Sequence, residues 1–253
     1  MSKVVRVKQS KVRLAAWGVV LVAGMTFLTW LLNPGGPQDA ALMALESGQQ
    51  VSVSDEGDWV LFLPAEQRTE TGFIFYPGGR VDYRSYAPLT RAVAEAGYPV
   101  VLVKMPLSLA VFDPMRAERV MAEISSVQKW VIGGHSLGGA MAASFVHANP
   151  QAVDGLIFYA AYPAQTNPLT GVDIPIASIY ATLDGVATTE KIEQSRALLP
   201  QTASFVAIEG GNHAQFGWYG AQEGDGEATL SHLEQQAQML RATLDLLSDV
   251  EVK

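Results

Sequence analysis

Strand-like apolar runs alternate with amphipathic stretches along most of the chain. The strand-like runs lie at residues 51–54, 59–63, 73–76, 100–103, 130–132, 156–159, 176–180 and 205–208. Helix-like patterns lie at residues 85–96, after an Asp113 N-cap and Pro114, at 137–149, at 188–199 and at 231–247. Such alternation favours a mainly parallel sheet covered by helices on both faces, and the first two runs predict a hairpin. We therefore expect a doubly wound α/β domain over residues 51–253.

The segment ahead of this domain has a different pattern. Residues 14–32 are uncharged and strongly apolar, and as a helix they would span about 29 Å, close to the ~30 Å bilayer core. Trp17 and Trp30 lie near the two ends, where their rings favour the membrane interface. Helix-breaking residues follow from Asn33. We predict a transmembrane signal-anchor helix at residues 14–32. A tether follows at residues 33–50, with a short helical piece at 41–47.

Charge predicts the orientation of this anchor. The basic tail at residues 1–13 carries five Lys or Arg and no acid, and the next cation is Arg68. By the positive-inside rule, the tail is cytoplasmic and the α/β domain is extracytoplasmic. A cleaved signal peptide is the main alternative, although its apolar core is usually about 7–15 residues long and ends at an A-x-A-like site. A buried globular helix is the third possibility.

Composition and charge exclude several classes of function. Hydrophobic residues make up 49% of the chain and charged residues 17%, which argues against disorder. The net charge is −8, so the residues after the basic tail carry −13, and nucleic acid is a poor partner for them. The absence of cysteine excludes disulfides, thiolate zinc sites and cysteine nucleophiles. The scattered histidines contain no H-E-x-x-H cluster, so no metal site is expected.

The most specific motif is G-H-S-L-G at residues 134–138, a G-x-S-x-G between a predicted strand and a predicted helix. In this context the motif predicts a nucleophile elbow, a strained turn that exposes the Ser136 hydroxyl above the sheet. The Leu137 N–H at the helix start is a candidate oxyanion donor. The second donor is expected from the P-G-G-R loop at residues 77–80, with Gly79 preferred and Arg80 next, unless the loop is only a turn.

A serine hydroxyl needs a base, and the base needs a carboxylate. His213 follows the last predicted strand in a G-G-N-H turn, at the sheet edge where such sites lie. His135 is interpreted as a packing residue, and His147 and His232 as surface or capping residues. Asp184 follows the strand at 176–180 and gives the chain order serine, acid, histidine; its alternative role is turn or helix capping. The other acids that lie between serine and histidine are less suitable: Asp154, Asp173, Glu190, Glu193 and Glu209.

These motifs resemble those of the α/β-hydrolase fold family, and more narrowly its compact, lidless bacterial serine hydrolases (α/β-hydrolase fold-5 like). The resemblance rests on P-G-G at 77–79, G-H-S-L-G-G-A at 134–140, L-D-G at 183–185 and G-G-N-H-A-Q-F-G at 210–217. It implies a doubly wound sheet, no cofactor, and hydrolysis of an ester, thioester or amide. Many relatives carry His-Gly where this chain has Pro77-Gly78. Donation from a backbone N–H of this loop to the oxyanion survives that change.

The predicted activity is serine esterase chemistry on a small ester-like substrate, with Ser136 as nucleophile, His213 as base and Asp184 as its orienting acid. An acyltransferase would use the same three residues with an alcohol or amine in place of water. A non-catalytic binding module on the same scaffold is the alternative from another class, but it would not need a nucleophile.

Overall fold

The computed structural model describes residues 34–252, together with Trp17, Gly24 and Met25. The chain divides into two compact units, Met1–Pro34 and Gly35–Lys253. In the first unit, the three isolated residues are helical and exposed. The basic tail at residues 1–13 and the rest of the predicted anchor at 14–32 lie outside the described residues. Within the part that is described, no helix is both long and apolar enough to cross a bilayer.

The second unit alternates strands and helices as predicted. Its strands are β1 (Val51–Asp55), β2 (Trp59–Pro64), β3 (Thr71–Tyr76), β4 (Val100–Val103), β5 (Lys129–His135), β6 (Gly155–Tyr159), β7 (Ile176–Ala181) and β8 (Ser204–Ile208). Its α-helices are α1 (Asp39–Met43), α2 (Ala87–Glu95), α3 (Arg116–Glu123), α4 (Leu137–Ala148), α5 (Thr189–Ser195) and α6 (His232–Val252). Short 3-10 turns lie at Tyr83–Tyr86, Pro106–Ser108, Ala110–Phe112, Arg196–Leu198 and Ala214–Phe216.

The strands form one eight-stranded sheet in the order β1-β2-β4-β3-β5-β6-β7-β8. The hairpin β1–β2 is antiparallel, and β2 pairs antiparallel with β4. Every pairing from β4 to β8 is parallel. The predicted mainly parallel α/β sheet is therefore confirmed, with its carboxyl edge formed by the ends of β3 to β8.

The sheet has a separate hydrophobic core on each face. Successive residues of β3 show the division, since Phe73 and Phe75 join one core and Ile74 joins the other. The first core is covered by α2 and α6, and the second by α3 and α4. Both faces of these strands are apolar because both are buried, which is why the runs in the sequence are continuous rather than alternating.

Two helix starts differ from the prediction. The helix predicted to begin at residue 85 is first a 3-10 turn and becomes α-helical at Ala87. The helix expected to have Asp113 as its N-cap and Pro114 at its first position begins at Arg116. The Asp113 carboxylate accepts from the Arg116 Nε at 2.7 Å, while the Tyr76 hydroxyl accepts the Ala117 N–H at 2.8 Å. A side chain distant in sequence therefore replaces the expected cap.

The segment predicted as a tether is part of the α/β unit from Gly35 onward, which corrects the boundary at residue 51. The Gly35 N–H donates to the Arg80 carbonyl at 2.8 Å, and the Asp82 N–H donates to the Gly35 carbonyl at 2.9 Å. The short helix α1 begins earlier than the predicted piece at 41–47, and Ala41 is fully buried. The segment packs because its few apolar and backbone groups find partners on the loop after β3.

Candidate active site

Ser136 occupies the sharp turn between β5 and α4. Its backbone has φ 52° and ψ −120°, a conformation that L-residues rarely adopt, and its N–H donates to the Tyr159 carbonyl at 3.0 Å. A Cβ at Gly138 would overlap the carbonyl oxygens of Tyr76 and Pro77, so only glycine fits there. The turn thus places a half-buried serine at the end of a central strand, directly before a helix N-terminus.

Strained backbone is concentrated along the carboxyl edge of the sheet. Within the described part of the chain, five non-glycine residues have positive φ: Arg80, Leu107, Ser108, Ser136 and Ala160. Each lies in the connection that follows one of four adjacent strands, β3, β4, β5 or β6. Such conformations cost of order 1–3 kcal/mol each and cluster at functional sites, so this edge is the candidate site on backbone evidence alone.

Asp184 and His213 meet at the same edge, on the loops after β7 and β8. The His213 Nδ1 lies 2.7 Å from the Asp184 Oδ2, and the two residues are 1% and 5% exposed respectively. The other carboxylate oxygen, Oδ1, accepts the Val186 and Ala187 N–H groups, both at 2.7 Å. Asp184 therefore both caps its own turn and faces the imidazole. An ionised carboxylate only accepts, so the Nδ1 carries the hydrogen and the Nε2 is left as the basic nitrogen.

The loop after β3 packs against the start of α4. A Cβ at Gly79 would lie 2.8 Å from the Leu137 Cδ2. The Gly78 N–H donates to the Tyr86 hydroxyl at 3.0 Å, and the Arg80 N–H donates to the Ser108 carbonyl at 2.7 Å. Among the described residues, the N–H groups of Gly79 and Leu137 have no hydrogen-bond acceptor in the protein. Of the two oxyanion candidates on this loop, the structure thus leaves Gly79 available and engages Arg80.

A comparison with protein families bears on this arrangement. The sequence model of the alpha/beta hydrolase family matches residues 72–237, about two thirds of the chain and including all three residues Ser136, Asp184 and His213. The chain belongs to the alpha/beta hydrolase family. The comparison with curated proteins gave no match.

Solved structures share the α/β-hydrolase fold at low sequence identity. A dienelactone hydrolase from Anabaena variabilis is 15% identical with a TM-score of 0.58, over 79% of this chain and 99% of that one. A thermophilic esterase from Thermogutta terrifontis is 13% identical with a TM-score of 0.57, over 80% and 99%. A predicted CIB-like hydrolase from Thermoplasma acidophilum is 16% identical with a TM-score of 0.54, over 79% and 98%. These likenesses establish the fold.

The α/β-hydrolase site also contains His135, which does more than the packing role predicted for it. Its ring is buried, stacks on Phe216 and lies 4.4 Å from the His213 ring between centroids. Its Nδ1 lies 2.8 Å from the Tyr86 hydroxyl, which also accepts the Gly78 N–H. Burial, followed by the neighbouring His213, holds the pKa of His135 well below its ordinary value, so the ring is neutral near pH 7. His135 thereby connects the loop after β3 to the loop that carries His213, the histidine loop.

The hydroxyl of Ser136 and the ring of His213 lie at the same edge of the sheet, after β5 and β8. Among the described residues, no hydrogen bond joins them. In hydrolases such bonds are often long in the absence of substrate and tighten in the substrate complex.

Two of the histidines and one of the acids set aside in the sequence have other contacts. His147 is exposed, and its Nδ1 lies 2.9 Å from the Pro168 carbonyl. His232 begins α6 and stacks on Trp218, with ring centroids 3.9 Å apart. The Asp154 carboxylate accepts the Trp130 N–H at 2.8 Å, at the amino end of β5 and β6. Each is therefore engaged away from the Asp184–His213 pair.

A cavity of about 350 Å³ adjoins Gly79. It opens between the loop after β3 and the segment that follows the histidine loop. The residues that line it are Gly35, Gly79, Arg80, Val81, Tyr219, Ala221, Gln222 and Glu223. Ser136, Asp184 and His213 are not among the described residues that line it.

Sequence reasoning missed two residues of this site. Tyr86 falls within the predicted helix at 85–96, and nothing in its spacing indicated the bonds to Gly78 and His135. Asp225 lies in a G-D-G turn at residues 224–226, after the histidine, where the serine-acid-histidine order does not look for an acid. The only available signal was the turn itself, which marks a tight approach of backbone.

Proposed function

We propose that this α/β-hydrolase is a carboxylesterase-like serine hydrolase that cleaves carboxylic esters or thioesters through an acyl-enzyme. The observation that carries the proposal is the buried Asp184–His213 pair at the sheet edge where Ser136 occupies its strained turn. A buried imidazole whose Nδ1 faces a carboxylate is poised to accept a proton at Nε2.

In the proposed first half-reaction, the Ser136 Oγ forms a bond to the substrate carbonyl carbon while the His213 Nε2 takes the hydroxyl proton. Asp184 holds the ring in its tautomer and stabilises the imidazolium. The bond to the leaving group then breaks, and His213 returns the proton to the departing alcohol or thiol. Ser136 is left as an acyl ester.

In the second half-reaction, His213 takes a proton from water as the water oxygen adds to the acyl carbon. Collapse of this intermediate returns the proton to the Ser136 Oγ and releases the carboxylic acid. In both halves the oxyanion would be held by the N–H groups of Leu137 and Gly79, which have no acceptor among the described residues. Neither step requires a cofactor.

Two of the structural relatives support ester-like substrates by their own names, a dienelactone hydrolase and an esterase.

A fluorophosphonate probe tests the proposal, since it reacts only with an activated serine. The full chain in mild detergent should be labelled, and Ser136→Ala should not. Ser144→Ala is the matched control, because Ser144 lies on α4 with its hydroxyl bonded to the Ala140 carbonyl, and it should label like the parent. Labelling that persists in Ser136→Ala, or a folded parent that does not label, would refute the proposal. Product analysis with added alcohols then separates hydrolysis from acyl transfer.

We also propose that residues 14–32 anchor the chain in a membrane, with the hydrolase domain on the extracytoplasmic side. The support is in the sequence: an uncharged apolar stretch of bilayer length after a basic tail. Carbonate extraction and protease protection test it. The chain should stay in the membrane pellet with its hydrolase domain open to external protease, and release by carbonate or a protected domain would contradict it.

A further inference from the structure

The segment after the loop that carries His213 contains a carboxylate, that of Asp225, which accepts the backbone N–H groups of His213 and of Gly185, the residue after Asp184. We propose that Asp225 is a positioning residue, which holds the Asp184 turn and the His213 loop in register. This inference rests on the proposed function, since it assigns Asp225 a part in the same reaction without contact to the substrate.

Asp225 accepts four backbone N–H groups. Its Oδ1 accepts from Gly185 at 3.1 Å, from His213 at 3.1 Å and from Gly226 at 2.8 Å. Its Oδ2 accepts from Ala214 at 2.8 Å. Gly185 is the residue after the proposed acid, and His213 is the proposed base itself. One carboxylate therefore fixes the backbones of the two loops whose side chains must meet.

Backbone packing holds the Asp225 turn in place against the acid turn. A Cβ on Gly185 would overlap the Gly224 carbonyl oxygen, and one on Gly226 would overlap the Leu183 carbonyl oxygen. The Asn212 side-chain amide adds a bond to the Gly226 carbonyl at 2.8 Å. The two turns fit only because glycines occupy these places, so the position of Asp225 relative to Asp184 is tightly constrained.

The negative charge of Asp225 strengthens its hydrogen bonds to the two loops. Hydrogen bonds from N–H groups to a carboxylate are roughly twice as strong as neutral ones, and four of them satisfy most of the acceptor sites of Asp225. Without Asp225, the loops after β7 and β8 would still be joined close to the sheet, where the Leu183 N–H donates to the Gly211 carbonyl at 2.9 Å and the Gly210 N–H donates to the Thr182 hydroxyl at 2.9 Å. Farther from the sheet, among the described residues, the direct hydrogen bond between the two loops is that of Asp184 with His213. A displacement of about 1 Å at a catalytic pair can cost on the order of 100-fold in rate.

The test compares Asp225→Ala and Asp225→Asn in the full chain, with a small ester as substrate and active sites titrated by the fluorophosphonate. We expect Asp225→Ala to lower kcat per titrated site by roughly 10- to 100-fold, with KM within about twofold, because orientation fails while binding is retained. Asp225→Asn keeps an oxygen for Gly185 and His213 but loses the charge and turns an NH2 group towards the Ala214 N–H, so it should recover only part of the loss. Glu227→Ala, an exposed acid in the same segment, is the control and should match the parent.

A lower thermal midpoint with parental kcat per titrated site would overturn the proposal, since it would make Asp225 only a structural residue. Loss of kcat in Asp225→Asn equal to that in Asp225→Ala would also overturn it. Failure of the proposed function is distinguishable, because the parent itself would then not be labelled at Ser136.

Discussion

The buried neutral His135 predicts a specific acid sensitivity of the folded state. Its pKa is held well below the ordinary value, first by burial and then by the neighbouring His213, whereas in the unfolded chain it returns to about 6.5. Below pH 6.5 the unfolded state therefore binds a proton that the folded state does not. The contribution of His135 to the free energy of unfolding is therefore present above pH 6.5 and is lost as the pH falls from there towards the folded-state pKa.

The size of the effect follows from this linkage. Each pH unit in that window removes at most about 1.4 kcal/mol, so going from pH 7.5 to 5.5 should cost about 1.4 kcal/mol through this one residue. His135→Asn removes the titrating ring but keeps an oxygen acceptor near the position of Nδ1 for the Tyr86 hydroxyl. The variant will be less stable overall because ring packing against Phe216 is lost, but this contribution to the pH slope should disappear.

Urea unfolding of the parent and the variant at pH 7.5, 6.5 and 5.5, followed by tryptophan fluorescence, measures the difference in slope. Ser136→Ala is the control at the adjacent position, because it removes no group that titrates in this range and should keep the parental slope. If His135→Asn loses as much stability as the parent between pH 7.5 and 5.5, the reasoning from burial is wrong.

Three further substitutions test the site. In Asp184→Asn the amide oxygen can still accept from Val186 and Ala187, so the NH2 group would face the His213 Nδ1 and force the hydrogen onto Nε2. We expect kcat on a small ester to fall by about 10⁴ with little change in thermal midpoint, and a loss below tenfold would contradict the assigned tautomer. Gly138→Ala should lower the thermal midpoint and abolish probe labelling, because its Cβ meets backbone rather than a flexible side chain; Gly171→Ala, with open space around it, should behave like the parent in both assays. Tyr86→Phe leaves the Gly78 N–H and the His135 Nδ1 without their partner and should cost about 1–3 kcal/mol in urea unfolding, whereas an unchanged midpoint would show that these bonds contribute little.

The strands and the nucleophile turn could be predicted because their causes are local. A strand buried on both faces must be a continuous apolar run, and β3 to β7 are such runs. The turn at Ser136 requires glycine two residues before and two residues after the serine, so the motif in the sequence predicts the geometry of the turn. The pairing of Asp184 with His213 could be predicted because each lies a few residues after a strand that ends at the carboxyl edge of the parallel sheet.

The contacts missed by sequence reasoning depend on loops that approach one another in space. Asp225 bonds to Ala214, His213 and Gly185, which lie 11, 12 and 40 positions away, and no periodicity encodes such distances. The start of α3 was predicted wrongly for the same reason, since its capping group is the hydroxyl of Tyr76 on a strand. Local sequence patterns therefore do not predict a helix cap or a tether correctly where a side chain or carbonyl distant in sequence forms the hydrogen bond instead.

Gly35 forms an isolated parallel bridge to Val81, with its N–H on the Arg80 carbonyl and its carbonyl on the Asp82 N–H. Gly35 therefore stabilises the loop that begins at Pro77, and a displacement of Gly35 would be transmitted to Arg80, the residue next to Gly79. A truncated protein that begins after Gly35 would lose both bonds while keeping the whole sheet. Such a truncation can fold well and still be a poor enzyme, so a shortened chain for crystallisation or assay should begin at or before Pro34.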